Sequence, residues 1–165
     1  MAAFEDGASS VAFATIGDPN VYSTFSYLAQ TVRALIPAVE VETVPGITAM
    51  QDLAARSGTV LVEGREVLAL FPMTAGLDAY AAALASFDTV VAYKGGRFLP
   101  EMLHAVEKAG RLDETVFGSA LGLADEVIRP AAEIAAGLAA GTPVAAPYLS
   151  TVITTAPRRE RGGSL

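Results

Sequence analysis

An α/β fold is what this 165-residue chain predicts, and three observations predict it. Short β-rich apolar runs alternate with stretches of helical periodicity. The runs end at loops bearing glycine or proline. The chain is 52% hydrophobic and only 18% charged, enough apolar surface to bury layers of helix against sheet.

The elements follow in order. VAFATI (11–16) reads as a strand that ends at Gly17-Asp18-Pro19. Residues 22–35 place Phe25, Leu28, Val32 and Leu35 at helical spacing. VEVETV (39–44) alternates apolar and polar residues, the pattern of a strand with one exposed face. Pro45-Gly46 breaks the chain, and ITAMQDLAARSG reads as a helix closed by Gly58. Further on, 66–71 is a strand, 76–87 an alanine-rich helix, and TVVAY (89–93) a buried strand running into Lys94-Gly95-Gly96-Arg97. Residues 99–109 form an amphipathic helix with Pro100 in its first turn and Gly110 at its end. TVFGSALG and EVIRP suggest a hairpin, AAEIAAGLAAG a last helix and YLSTVITT a last strand.

Alternation of this kind implies mostly crossover connections. Ligands in such sheets sit beyond the carboxyl ends of the strands. That rule singles out Gly17-Asp18-Pro19, Pro45-Gly46-Ile47-Thr48, Pro72-Met73-Thr74 and Lys94-Gly95-Gly96-Arg97. We expect residues 1–44 to be the remainder of an N-terminal α/β domain, because a sheet begun from one βαβ unit is very small. Residues 45–155 then form a C-terminal α/β domain, and 156–165 a solvated basic tail.

Composition excludes several chemistries. With no cysteine there is no disulfide, thiolate metal site or cysteine nucleophile. One histidine, His104, cannot build a histidine metal site or a Ser-His-Asp triad, and we expect no metal and no catalytic side chain. A net charge of −7 with no internal basic patch argues against a nucleic-acid partner. No apolar run is long enough to span a bilayer, and the N-terminus lacks a basic signal-peptide region, so no membrane and a cytoplasmic location are expected.

Each motif has a plain reading beside a functional one. Gly17-Asp18-Pro19 is either a simple turn or a loop that brings bare backbone to a ligand, Asp18 accepting from a ribose, an amine or a backbone amide. Tyr22-Ser23-Thr24 either caps a helix or lines a pocket. Pro45-Gly46-Ile47-Thr48-Ala49 is a turn and helix start, or a set of free backbone N–H groups. Lys94 and Arg97 are solvated, or hold carboxylates or phosphates. Neither G-x-G-x-x-G nor a P-loop occurs.

GDPNVYSTFSYL, VETVPGITAMQDLAARSG and DTVVAYKGGRFLPEMLHAVEKAGRLDE, in that order, resemble the tetrapyrrole methylases over about residues 11 to 155. The Tyr-Ser-Thr-Phe-Ser-Tyr continuation is most similar to the precorrin-2 C(20)-methyltransferase branch. The resemblance implies a two-domain α/β protein, usually a homodimer, that moves a methyl group from S-adenosylmethionine to a tetrapyrrole carbon. It implies cofactor contacts at Ile16, Gly17, Asp18, Thr48, Ala49 and Lys94, and substrate contacts at Tyr22, Ser23, Lys94 and Arg97. The family's opening Gly-x-Gly-Pro-Gly-Asp-Pro motif is absent from the sequence. The expectation is therefore an N-terminally truncated enzyme, with a non-catalytic remnant as the alternative. A substrate rich in carboxylates would draw on the few cations, with Arg56, Arg65, Lys94 and Arg97 as candidates.

Overall fold

The computed structural model describes residues 2–142, 144 and 146–158. It divides into two compact units, residues 1–48 and 49–165.

In the first unit, α1 (Ala2–Glu5) is a single turn and α2 (Phe25–Leu35) is three turns long. The helix begins at Phe25 rather than at residue 22, because Tyr22 has a left-handed backbone (φ 51°) that no helix can include. Along α2, Ala29 is buried, whereas Leu28 and Leu35 remain exposed. Neither 11–16 nor 39–44 is a strand, which corrects the sequence expectation for both. Period-2 alternation becomes a strand only when a neighbouring backbone closes the ladder, and two short runs alone give a marginal sheet.

The second unit carries a five-stranded sheet. Its strands are β1 (Leu68–Pro72), β2 (Thr89–Tyr93), β3 (Thr115–Ser119), β4 (Val127–Pro130) and β5 (Ser150–Thr154), in the spatial order β1-β2-β5-β3-β4. The helices are α3 (Ala49–Ser57), α4 (Leu77–Ser86), α5 (Leu99–Lys108) and α6 (Ala131–Ala139). β1 pairs parallel with β2, but β5 lies antiparallel to both β2 and β3, and β3–β4 is an antiparallel hairpin. The sheet is thus mixed. Crossovers through α4 and α5 hold for β1–β2 and β2–β3, while the last strand inserts between β2 and β3 against their direction. Both edge strands end in proline, Pro72 and Pro130, where no ladder N–H is needed.

Alternate side chains serve opposite faces of the sheet. Val91, Val116 and Ile153 pack with Leu53 and Ala54 of α3. Val90, Ala92, Phe117 and Val152 pack with Tyr80 and Leu84 of α4, Met102 and Val106 of α5 and Ile134 of α6. Burial on both faces explains why TVVAY is apolar almost throughout.

The end of the sheet at Thr89, Thr115 and Thr154 is closed by Arg111. Its buried guanidinium donates to the carbonyl oxygens of Leu84, Phe87, Asp88, Thr154 and Thr155. Burial pulls its pKa below the usual arginine value, opposed by the charges of Asp88 and Glu114, and five carbonyl oxygens accept from the buried group. Because β1, β2 and β3 run in one direction, their carboxyl ends share the opposite edge, which is left for loops.

Candidate functional site

Asp18 organises the glycine-rich loop of the first unit. Val21 N–H bonds to the Asp18 carbonyl at 3.2 Å, closing a turn in which Pro19 fixes the first central torsion. Asn20 N–H donates to Asp18 Oδ1 at 2.8 Å, and Gly46 N–H donates to Oδ2 at 3.0 Å. These two amides, Gly46 first, hold the carboxyl below the ordinary aspartate range. Gly17-Asp18-Pro19 is therefore a turn, and its carboxylate also reaches across to a second expected segment.

Sterics bring the same two segments together. A side chain at Gly46 would overlap the carbonyl oxygen of Gly17. Gly17 itself takes φ 75°, and a β-carbon there would lie 3.7 Å from the Ile47 oxygen and 3.8 Å from Thr48 Cα. Of the expected residues in this unit, Gly17, Asp18 and Thr48 are thus brought together, with Thr48 buried. Ile16 stands beside them, 78% exposed. Ser23 is part-occupied by its own loop: its hydroxyl bonds Thr15 Oγ1 at 3.1 Å and accepts from Phe25 N–H at 3.1 Å. Tyr22 is exposed, although partial burial raises its phenol pKa.

In the second unit, the remaining expected residues lie at the carboxyl end of β2. Tyr93 closes that strand, and its hydroxyl accepts from Met50 N–H at 3.2 Å, one of the N–H groups left open at the start of α3. Ala49 and Lys94 are neighbours of these two residues in sequence, so the Tyr93 side chain links the start of α3 to the end of β2 across the length of its ring. Lys94 then takes φ 60°. Gly95 packs so closely that a β-carbon would meet Met102 Sδ at 2.5 Å, and one at Gly96 would run into the carbonyl oxygens of Ala146 and Pro147. Arg97 is exposed, with its guanidinium 4.6 Å from the Phe98 ring centroid.

Ala120, directly after β3 at the same edge, is a third non-glycine residue with positive φ (49°) beside Tyr22 and Lys94. Its N–H donates to the Leu149 carbonyl at 2.9 Å, so the 146–149 segment is drawn to this rim. A hollow of about 410 Å³ lies here, lined by Ser119, Asp125, Val127, Ala146 and Pro147. Left-handed backbone at a non-glycine residue costs on the order of 1–3 kcal/mol and concentrates at functional sites. Sequence reasoning missed Ala120, because alanine gives no sign of such a conformation, and it missed Tyr93 because a tyrosine ending an apolar strand reads as core.

Two cations are otherwise engaged. Arg56 forms a two-pronged ion pair with Glu126, whose carboxylate also accepts Gly122 N–H at 2.7 Å, so its guanidinium is not open to an acidic ligand. Arg158, expected in a solvated tail, is instead bound to Glu66 at 2.6 Å and to the Val60 carbonyl at 2.8 Å. The rest of the basic tail, from residue 159, lies outside the described residues. Arg65 is exposed, as is His104 on α5, 3.8 Å from Glu107. Among the described residues no group of three His, Asp or Glu side chains could hold a metal, and no helix is long and apolar enough to cross a membrane.

The mixed sheet with helices on both faces defines an α/β protein. The chain matches the family of Tetrapyrrole (Corrin/Porphyrin) Methylases over residues 1–135, and it belongs to that family. It is 34% identical over 117 residues to a precorrin-2 C(20)-methyltransferase of Sinorhizobium sp., covering 71% of this chain and 46% of that one. It is 42% identical over 90 residues to a probable cobalt-precorrin-2 C(20)-methyltransferase of Methanocaldococcus jannaschii, covering 54% of this chain and 36% of that one. The chain thus spans less than half the length of these two relatives. The structure of uroporphyrin-III C-methyltransferase from Thermus thermophilus, solved with S-adenosylhomocysteine, superposes with a TM-score of 0.53 at 22% identity, covering 84% of this chain and 62% of that one, and confirms the fold.

Proposed function

We propose that this chain is an S-adenosylmethionine-dependent C-methyltransferase, or the part of one described here, acting on precorrin-2 or cobalt-precorrin-2 at carbon 20 in cobalamin biosynthesis. The observation that carries the reading is that two relatives of different organisms agree on precorrin-2 and on carbon 20 in their names. The residues fit the cofactor in kind. Gly17 and Gly46 let two backbone segments approach closely, and Lys94 and Ala120 hold left-handed backbone at the carboxyl end of the sheet.

The bound cofactor would supply an already activated methyl group, so the protein needs no nucleophile of its own. Its residues have to bind, align and exclude water. Alignment alone is worth roughly 7–11 kcal/mol in the best intramolecular cases. Ile16, Gly17, Asp18, Thr48, Ala49 and Lys94 are assigned to the cofactor, and Tyr22, Ser23, Lys94 and Arg97 to the macrocycle. The division of the chain into an N-terminal remainder up to residue 44 and a C-terminal domain from 45 to 155, a homodimeric state and a cytoplasmic location belong to the same proposal.

Lys94→Ala, which keeps the backbone through which Lys94 is assigned to the cofactor, and Arg97→Ala should each weaken the polyanionic macrocycle by about tenfold while changing S-adenosylhomocysteine affinity less than twofold, as expected for single charge-assisted contacts. Calorimetry with each ligand checks this, and equal losses for both would reject the division. A second reading, a non-catalytic chain with an incomplete cofactor site, is favoured by the missing ladders at 11–16 and 39–44. Saturable cofactor binding would dismiss it.

A further inference from the structure

We propose that Asp18 serves the cofactor as a positioning residue and not as a contact. Its carboxylate clasps the Gly46 amide and so fixes the backbone of residues 46–48 against Gly17. The inference rests on the cofactor reading above and changes what one of its residues does.

Three observations on the same atoms support it. Each carboxylate oxygen already accepts a backbone N–H, at 2.8 Å from Asn20 and 3.0 Å from Gly46. The Gly46 bond joins segments 28 residues apart, so it sets tertiary placement rather than a local turn. At the point where it closes, Gly46 meets the Gly17 carbonyl with no room for a β-carbon, so a steric requirement and a hydrogen bond impose the same approach. The lowered carboxyl pKa keeps the acceptor ionised, and charge-assisted bonds of this type are about twice as strong as neutral ones.

Oδ2 keeps a second lone pair, so a ligand hydroxyl bound there would share its charge with the Gly46 amide and weaken the bond that holds the neighbouring segment. Cofactor contact and clasp thus draw on one oxygen, and the use that the structure shows is the clasp. Ile47 and Thr48 then present their backbone from a fixed position. Asp18 raises cofactor affinity through them.

The test uses the full chain, S-adenosylhomocysteine, its 2′-deoxy and 3′-deoxy analogues, calorimetry and amide resonances. Asp18→Asn leaves one uncharged acceptor oxygen for two backbone amides and sets an N–H against the other. The Gly46 amide should then lose hydrogen-exchange protection, and cofactor affinity should fall about tenfold with the 49–158 resonances unchanged. Asp18→Asn with Gly46→Ala should be no weaker than Gly46→Ala alone, the non-additivity of two changes to one contact. Each deoxy analogue should lose the same factor against wild type and Asp18→Asn.

Should Asp18→Asn unfold residues 2–48, the wild-type chain still decides. The Asp18 carboxyl carbon should not shift on saturation with S-adenosylhomocysteine, whereas direct contact would move it. A deoxy analogue whose loss disappears in Asp18→Asn would overturn the inference and leave the cofactor reading intact, as would unchanged Gly46 protection. A wild-type chain with a protected Gly46 amide but no saturable binding would overturn both, leaving the clasp a purely structural bond.

Discussion

Arg111 shows how much one side chain decides. Its guanidinium serves five carbonyl oxygens from the end of α4, the start of β2 and the end of β5, so three elements terminate on one group. Arg111→Met keeps the stem's volume but strands those carbonyls without a donor. The expected loss is about 3 kcal/mol or more in urea unfolding, since several buried acceptors become unsatisfied together. A loss below ~1 kcal/mol would mean water replaces the guanidinium. Lys94 is strained in the opposite sense: Lys94→Gly removes the cost of its left-handed backbone and should stabilise the chain by up to ~1 kcal/mol in the same measurement. Destabilisation would show that the lysine stem contributes more packing than its backbone strain costs.

At the scale of elements, glycines decide how closely loops approach the sheet. A β-carbon on Gly96 meets the backbone oxygens of Ala146 and Pro147, which cannot rotate away. One on Gly118 meets methyl groups of Leu53 and Leu121, at 2.7 and 3.2 Å, which can. Gly96→Ala should therefore cost more than Gly118→Ala, both within about 1–3 kcal/mol, when thermal midpoints are compared. The reverse order would mean that the 146–149 segment yields more easily than α3. The sequence marked β2 at its observed limits, because TVVAY is buried on both faces and flanked by turn residues. It marked α5 within a residue, from Pro100 and Gly110. The extended runs at 11–16 and 39–44 failed because periodicity records only which side chains alternate, not whether a partner backbone exists. The insertion of β5 between β2 and β3 was equally illegible, since its partners lie more than 50 residues away in β2 and more than 30 in β3. Of the candidate site, Gly17, Asp18 and Gly46 were visible as turn chemistry, but the carboxylate-to-amide bond between them is a tertiary fact.

For the whole molecule, a net charge of −7 makes each buried cation pair a matter of acid stability. The Glu66 side chain is 3% exposed and Arg158 19%, and the Arg158 hydrogen bond, ahead of the Glu63 amide, keeps the Glu66 carboxyl below its ordinary range. A carboxyl whose pKa is lower folded than unfolded stabilises fully above the unfolded value and loses that contribution as pH falls through the folded one. Arg158→Met should therefore lower the urea midpoint at pH 7 and raise the pH of acid unfolding. The two chains should converge near pH ~2, where Glu66 is protonated in both. A difference that persists there would assign the effect to the Val60 carbonyl bond instead.

The central proposal is that the Gly17–Asp18 segment, clasped to Gly46–Thr48 within the first unit, receives an activated-methyl cofactor. Titrating the isotope-labelled wild-type chain with S-adenosylhomocysteine tests it most directly. We predict saturable shifts concentrated in the amides of 16–18 and 46–48, with those around Arg111 unmoved. Absence of saturation, or shifts centred on the Arg111 end of the sheet, would contradict the account.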